Sequence, residues 1–261
     1  MKRISQLKDE ALDALHGNFG KAALATLGVF AISIAIGLLT NTISGTNVID
    51  YYGALFTGNT WALKEATGSN PLGSVFQLVV SFFFLTPLGV GVANTYRILL
   101  ESKGAENKLF GSYFKIPFSK RYGHILLVSL ISGILIFLLL IPAMIVIGLL
   151  IALIHKVVAI VILSLIALVY ILWIAFMYSQ LSFIMIENPE LDAIETMRRS
   201  RNLMDGSKWR YFVLGLSFIG WAILCVITLG IGFLWLEPYI RTTQAAFYCE
   251  IRDSYQTEET V

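Results

Sequence analysis

The sequence predicts an all-α fold: a polytopic bundle of transmembrane helices that forms a single integral membrane domain over residues 1–261. Two observations lead to this prediction. Hydrophobic residues make up 57% of the chain and charged residues only 14%, whereas globular domains average about 45–50% and about 25%. The apolar residues are also gathered into long uncharged runs, and about 20 such residues cross a bilayer core about 30 Å thick. Lipid must therefore cover apolar surface that one protein core could not bury.

Six segments are predicted to cross the membrane. They lie near residues 22–40, 75–100, 124–154, 157–186, 211–228 and 233–251. The long apolar stretch in the middle divides into two helices with an outer turn at His155 and Lys156. Three helices do not fit, because basic segments flank the stretch on both sides and an even number of spans must separate segments on one side of a membrane.

The basic residues orient the chain. Of the 19 Lys and Arg residues, all except Lys64 and Lys156 fall in segments assigned to one side or in the last helix leading to it. Cytoplasmic segments collect Lys and Arg, so both termini are predicted to be cytoplasmic in a multi-pass protein of the plasma membrane. The bilayer is the expected partner, with anionic lipids at the basic cytoplasmic loops. No cleaved signal peptide is expected, because charged residues follow Met1-Lys2-Arg3 directly.

Two flanking segments are predicted to be short helices. Residues 1–20 place their apolar side chains on one face, which is typical of an amphipathic helix at the membrane interface. The alternative is a soluble helix packed on the cytoplasmic loops. Another helix should follow the fourth span, with Asn188 as its N-terminal cap and Pro189 at its first position.

The last segment, 233–251, is more polar than the other five and admits two topologies. Gly230 and Gly232 suit a tight turn, which makes the last two segments a helical hairpin. In the alternative topology, Tyr211 to Leu236 forms one long span and the tail lies outside. The hairpin is favoured because the tail lacks a clean amphipathic stripe.

A polar cluster in this last segment is the candidate functional site. Glu237 precedes Arg241 by four residues, the favourable order for an ion pair on one helix face. Thr242 and Gln244 add hydrogen-bonding groups beside the pair. One interpretation is a polar pocket or gate, since charges within membrane helices usually face a cavity or the bundle interior. The other is an interhelical contact in which the cluster pairs with Asn94 or Gln180.

The sequence lacks the motifs of most other functions. There is no catalytic motif with its required spacing, and the three histidines lie in different parts of the chain, so neither a metal site nor a cofactor is predicted. Cys225 and Cys249 are expected at depths that differ by about 20 Å, which excludes a disulfide. The net charge of +2 does not indicate nucleic-acid binding.

Several strings of residues in the carboxy-terminal half are distinctive as a set. They are Leu203–Lys208, Leu214–Trp221, Thr228–Tyr239 and Ala246–Tyr248, with Thr86–Gly89 and Tyr96–Arg97 earlier in the chain. Together they closely resemble an uncharacterised family of bacterial integral membrane proteins, known only as a domain of unknown function with the serial number nine-seven-five. The resemblance implies a bacterial cell membrane, but no activity, substrate or site residue.

Three functions are compatible with these observations. The sequence favours a non-enzymatic membrane component, such as an accessory subunit, a scaffold or an assembly factor with protein partners. The alternative is a small transporter or channel that uses the polar cluster of the last helix, although no inverted repeat is visible between the halves. A lipid-active enzyme would need acidic or histidine residues clustered at one depth, and the sequence shows none.

Overall fold

In the computed structural model, the described residues are 1–44, 71–104, 111, 121–153 and 157–259, and every regular element within them is an α-helix. The all-α prediction is confirmed. The helices of these ranges are α1 (Ile4–Leu15), α2 (Phe19–Ser44), α3 (Pro71–Glu101), α4 (Tyr122–Leu153), α5 (Val157–Met177), α6 (Leu181–Glu187), α7 (Ala193–Leu203), α8 (Lys208–Leu216), α9 (Ile219–Ile227) and α10 (Phe233–Glu259).

Five helical segments of the described residues are long and apolar enough to cross a membrane. They are Phe19–Thr40, Val75–Glu101, Tyr122–Ile145, Ser164–Glu187 and Lys208–Ile227. They coincide with the first five predicted spans, so the polytopic character is confirmed and the number six is approximate. The sixth predicted span falls in α10, which has the length but carries more charge. The predicted outer turn at His155 and Lys156 lies outside the described residues.

Two predicted spans are each interrupted by a short turn. The fourth divides into α5 and α6, and the fifth into α8 and α9. At each interruption a side chain from another helix donates a hydrogen bond to a main-chain carbonyl. The Ser200 hydroxyl donates to the Met177 carbonyl at 2.9 Å, and the Lys8 ammonium donates to the Ser217 carbonyl at 3.0 Å. These distant donors satisfy carbonyls that the interrupted helices leave without intrahelical partners.

The chain between α9 and α10 forms a tight turn, as the hairpin prediction requires. Leu229 adopts a left-handed conformation with φ of 53°, and the Gly230 N–H donates to the Cys225 carbonyl at 2.8 Å. This is the hydrogen-bond pattern that commonly ends a helix. The alternative of one continuous helix from Tyr211 to Leu236 is therefore wrong.

The predicted cap of the helix after the fourth span is also wrong. That helix, α7, begins at Ala193, and its cap is Asp192, whose Oδ1 accepts the Glu195 N–H at 2.8 Å. Asn188 instead terminates α6, because its N–H donates to the Ile184 carbonyl at 2.9 Å. Asp and Asn cap helices about equally well, so the local sequence did not distinguish the two positions.

Helix α10 is the helix around which the others pack. It contacts α1, α2, α3, α7 and α9, and its residues Ala245 to Tyr248 are almost completely buried. Helices α4 and α5 pack on each other and join the rest of the described chain through α3, α7 and α8. The most polar of the long helices is therefore the most enclosed by protein.

Helix α1 packs on α10 and on the end of α3. Its residues Leu7, Ala11 and Leu15 are buried. The Lys8 ammonium lies 4.3 Å from the centre of the Phe218 ring, and burial lowers the pKa of Lys8. Other helices of the chain thus cover the apolar face of α1, while its position at the membrane interface stays a prediction.

The contact between α1 and α3 depends on a glycine. Gly104 follows α3 with φ of 81°, and a Cβ atom there would lie 2.8 Å from the Ala14 carbonyl oxygen. The Gly104 carbonyl in turn accepts a hydrogen bond from the Asn18 side chain at 2.7 Å. A glycine permits both the left-handed conformation and the close approach of two backbones.

We predict that Gly104→Ala lowers the free energy of unfolding by about 2–4 kcal/mol, from the left-handed conformation and the clash together. Gly206→Ala is the matched control, because Gly206 has φ of 68° but open space around its missing Cβ. This control should cost only about 1 kcal/mol. Unfolding of the purified protein in detergent measures both variants, and equal losses would contradict the close approach of α1 and α3.

Candidate functional site

A cavity of about 390 Å³ lies between α2, α3, α6 and α10. Apolar side chains of α2 and α3 form most of its wall, and α10 contributes Glu237 and Arg241. The cavity lies at the middle of two apolar segments, because Phe30 is halfway along Phe19–Thr40 and Leu88 is halfway along Val75–Glu101. The predicted ion pair is thus in the wall of a cavity midway along two segments that are apolar enough to cross a membrane.

The Glu237–Arg241 pair has the geometry that its spacing predicts. Arg241 Nε donates to Glu237 Oε1 at 2.8 Å across one turn of α10. The Glu237 side chain is 33% exposed and the Arg241 side chain is 46% exposed. No other hydrogen bond of either charged group is present within the described residues. Most of the hydrogen-bonding capacity of both groups is therefore available to a molecule in the cavity.

Hydroxyl groups add hydrogen-bonding capacity to the same wall. Thr26, Ser33 and Ser182 line the cavity with the ion pair. The hydroxyls of Thr26 and Ser33 each donate to the carbonyl one turn earlier in α2, at 3.0 and 2.9 Å. Their oxygen atoms can still accept a hydrogen bond.

The other members of the predicted cluster lie elsewhere. The buried Thr242 hydroxyl donates to the Pro238 carbonyl at 2.8 Å, and neither Thr242 nor Gln244 lines the cavity. Asn94 accepts a hydrogen bond from Arg97 at 3.1 Å. Gln180 is 1% exposed and donates to Ser179 at 2.8 Å. Within the described residues, neither Asn94 nor Gln180 forms a hydrogen bond with the Glu237–Arg241 pair.

An ion-pair network that the sequence did not predict joins α3, α6 and α10. The Glu187 carboxylate accepts hydrogen bonds from Arg97 Nη1 at 2.8 Å, from the Tyr248 hydroxyl at 2.6 Å and from Arg252 Nη1. Glu101 joins the network through Arg252 at 3.1 Å. The only sequence signal was the spacing of Arg97 and Glu101, four residues apart at the end of an apolar run.

A second ion pair joins the amino-terminal segment to α8 and α10. The Glu250 side chain is 6% exposed and lies 2.9 Å from Arg210 Nη2. Its Oε1 also accepts the Lys2 main-chain N–H, while Arg210 donates to the Lys2 carbonyl at 2.7 Å. A buried carboxylate needs such partners, because an unpaired charge away from water is costly.

A larger cavity of about 820 Å³ lies next to this second pair, between α1 and the ends of α3 and α10. It is lined by groups of both charges, with carboxylates in the majority. The charged lining residues are Lys2, Asp9, Glu10, Asp13, Glu101, Lys103, Glu250, Arg252 and Asp253. Within the described ranges, no three His, Cys, Asp or Glu residues are arranged to hold a metal ion, and Cys225 and Cys249 are free thiols.

Comparison with known proteins identifies the family. The model of the family described as Protein of unknown function (DUF975) matches residues 1–255. The chain belongs to this family. The DUF975 match covers nearly the whole chain, so the resemblance noted in the sequence is confirmed, and its description assigns no activity. No curated protein and no solved structure matches the chain.

The Glu187 network yields a prediction about the stability of the DUF975 chain. Glu187→Gln should lower the free energy of unfolding by about 2 kcal/mol, because Glu187 accepts hydrogen bonds from two arginines and a tyrosine. Glu190→Gln is the control, since Glu190 is exposed, and should change stability by less than about 0.5 kcal/mol. Thermal unfolding in detergent distinguishes these outcomes, and an unchanged Glu187→Gln variant would show that the network does not stabilise the fold.

Proposed function

We propose that the protein is a small transporter that binds a zwitterionic solute in the cavity between α2, α3, α6 and α10. One observation carries this proposal: the half-exposed Glu237–Arg241 pair lies in the mostly apolar wall of a cavity at membrane depth. An arginine near the centre of a membrane helix costs on the order of 2.5–3.5 kcal/mol on insertion scales. Such residues generally mark a pathway or a binding site.

The chemistry of the wall supports a zwitterion with an apolar side chain. A guanidinium binds a carboxylate through charge-assisted hydrogen bonds, and a carboxylate binds an ammonium group. Because Arg241 and Glu237 are adjacent, the two charged groups of an α-amino acid can reach both. The apolar residues of α2 and α3 suit an aliphatic side chain, and the volume of 390 Å³ is within the range of small-molecule pockets.

We further propose that the protein resides in the plasma membrane of a bacterial cell, with its basic segments in the cytoplasm. The distribution of Lys and Arg supports this orientation. Transport of this kind involves no chemical reaction, so the proposed protein is not an enzyme. Of the functions compatible with the sequence, the cavity supports the transporter more than the accessory subunit.

We predict that vesicles containing the purified protein take up labelled leucine faster than protein-free vesicles. Arg241→Gln and Glu237→Gln should each lower this uptake about tenfold or more, because each removes a charged partner of the zwitterion. Gln244→Ala is the control, since Gln244 lies on the same helix but outside the cavity wall, and should leave the uptake unchanged.

Competition tests the zwitterionic requirement in the same vesicles. Leucine amide lacks the carboxylate and isovalerate lacks the ammonium group, so neither should compete with labelled leucine as well as unlabelled leucine does. Uptake equal to that of protein-free vesicles would overturn the proposal for apolar amino acids. Equal uptake by the wild type and both cavity variants would overturn the assigned role of the ion pair.

A second candidate function, that of an accessory subunit or scaffold, is favoured by the larger charged cavity. Its lining comes from α1 and from the ends of α3 and α10, and its excess of carboxylates suits a basic segment of a partner protein. Asp9 and Asp13 are exposed in this lining, so Asp9→Asn with Asp13→Asn should weaken cross-linking to that partner and leave leucine uptake unchanged. A partner that cross-links equally to the double variant does not use this cavity.

A further inference from the structure

A groove of about 390 Å³ lies between α4 and α7, away from the site of the proposed transport. Its floor is formed by Leu135, Leu138 and Leu139 of α4, and Tyr178 lies beside them. The opposite wall belongs to α7 and presents Arg198 and Arg201. The groove therefore joins an apolar surface to a basic one.

The two walls differ in their relation to the membrane. The floor lies within Tyr122–Ile145, one of the segments apolar enough to cross a bilayer, and Leu138 and Leu139 are exposed from the protein. Lipid chains are the apolar phase available to such a surface. Helix α7 is a polar helix with three arginines and one glutamate. Helix α4 (Tyr122–Leu153) has 32 residues, about 48 Å of helix, so it is longer than a bilayer core of about 30 Å. Its last turns suffice to cross that core, and the groove floor then lies at the edge of the core, where acyl chains meet headgroups.

The charges of α7 favour a negatively charged occupant. Arg198 pairs with Glu195 at 2.8 Å, whereas Arg201 forms no ion pair within the described residues. Both arginines are exposed. A phosphate can accept hydrogen bonds from both guanidinium groups, and Arg binds phosphate in a geometry that Lys does not match. A zwitterionic headgroup would also bring a positive group towards the arginines.

We infer that this groove is a binding site for an anionic phospholipid. One acyl chain lies along the leucines of α4, and the phosphate binds Arg201 and Arg198. Anionic lipid is expected at the basic cytoplasmic loops, and this groove is one specific site for it. This site is independent of the Glu237–Arg241 cavity.

The test compares two single-charge variants of α7. Purified full-length protein in mild detergent is titrated with phosphatidylglycerol, and bound lipid is counted by native mass spectrometry. Arg201→Gln should weaken binding about fivefold, the effect of one basic residue near a membrane surface. Arg199→Gln is the matched control, because it removes the same charge from the same helix at a residue outside the groove, and it should leave the affinity within twofold. An equal loss of affinity in both variants would overturn the proposed binding site in the groove, because general electrostatic attraction would then explain the binding.

Two further measurements use the wild-type protein. Phosphatidylcholine with the same acyl chains should bind at least fivefold more weakly than phosphatidylglycerol, and equal binding would overturn the role of the arginines. Glycerol 3-phosphate, which has the phosphate but no acyl chain, should not displace the bound lipid. Displacement at comparable concentrations would show that the apolar floor does not contribute.

Discussion

The fold depends on enclosing one long polar helix among the other helices of the bundle. Helix α10 contacts helices on several sides, among them α1, α2, α3, α7 and α9, and buries its residues from Ala245 to Tyr248, yet it also carries Glu250 and Arg252. Placing such a helix in the centre requires partners for its charges. Glu187 and Glu101 supply them for Arg252, and Arg210 supplies one for Glu250. The positions of α3, α6 and α8 are thus linked to the charges of α10.

The charged groups of the chain fall into two kinds according to their hydrogen bonds. Glu187 accepts hydrogen bonds from three donors and has little exposed surface. It therefore holds α6 against α3 and α10. Glu237 and Arg241 have only each other within the described residues and remain partly exposed. A carboxylate whose hydrogen-bond acceptors are all occupied stabilises the structure. An ion pair with unused donors and acceptors in a low-dielectric cavity can instead form favourable hydrogen bonds with a ligand. By this difference, Glu187 belongs to the structural core of the protein, and Glu237 and Arg241 belong to its candidate site.

Features that depend on neighbouring residues in sequence were predictable. The apolar runs located five membrane segments, with most of their ends within about three residues, and the spacing of Glu237 and Arg241 predicted their ion pair. Features that depend on distant residues were not. Arg97 and Arg252 lie 90 and 65 positions from Glu187, and the donors at the two interrupted spans are Ser200 and Lys8. No local pattern indicates contacts of this kind, because folding alone brings such residues together.

The packing of α1 on α10 joins the first and the last of the described helices. Lys2 and Glu250 are 248 positions apart and are bonded through the main chain of Lys2. During synthesis the ribosome releases α1 long before α10 exists. The buried leucines of α1 therefore lack this partner until α10 has been synthesised. Closure of this contact accordingly follows the synthesis of α10, and a chain truncated before α10 would leave α1 without its main protein contact.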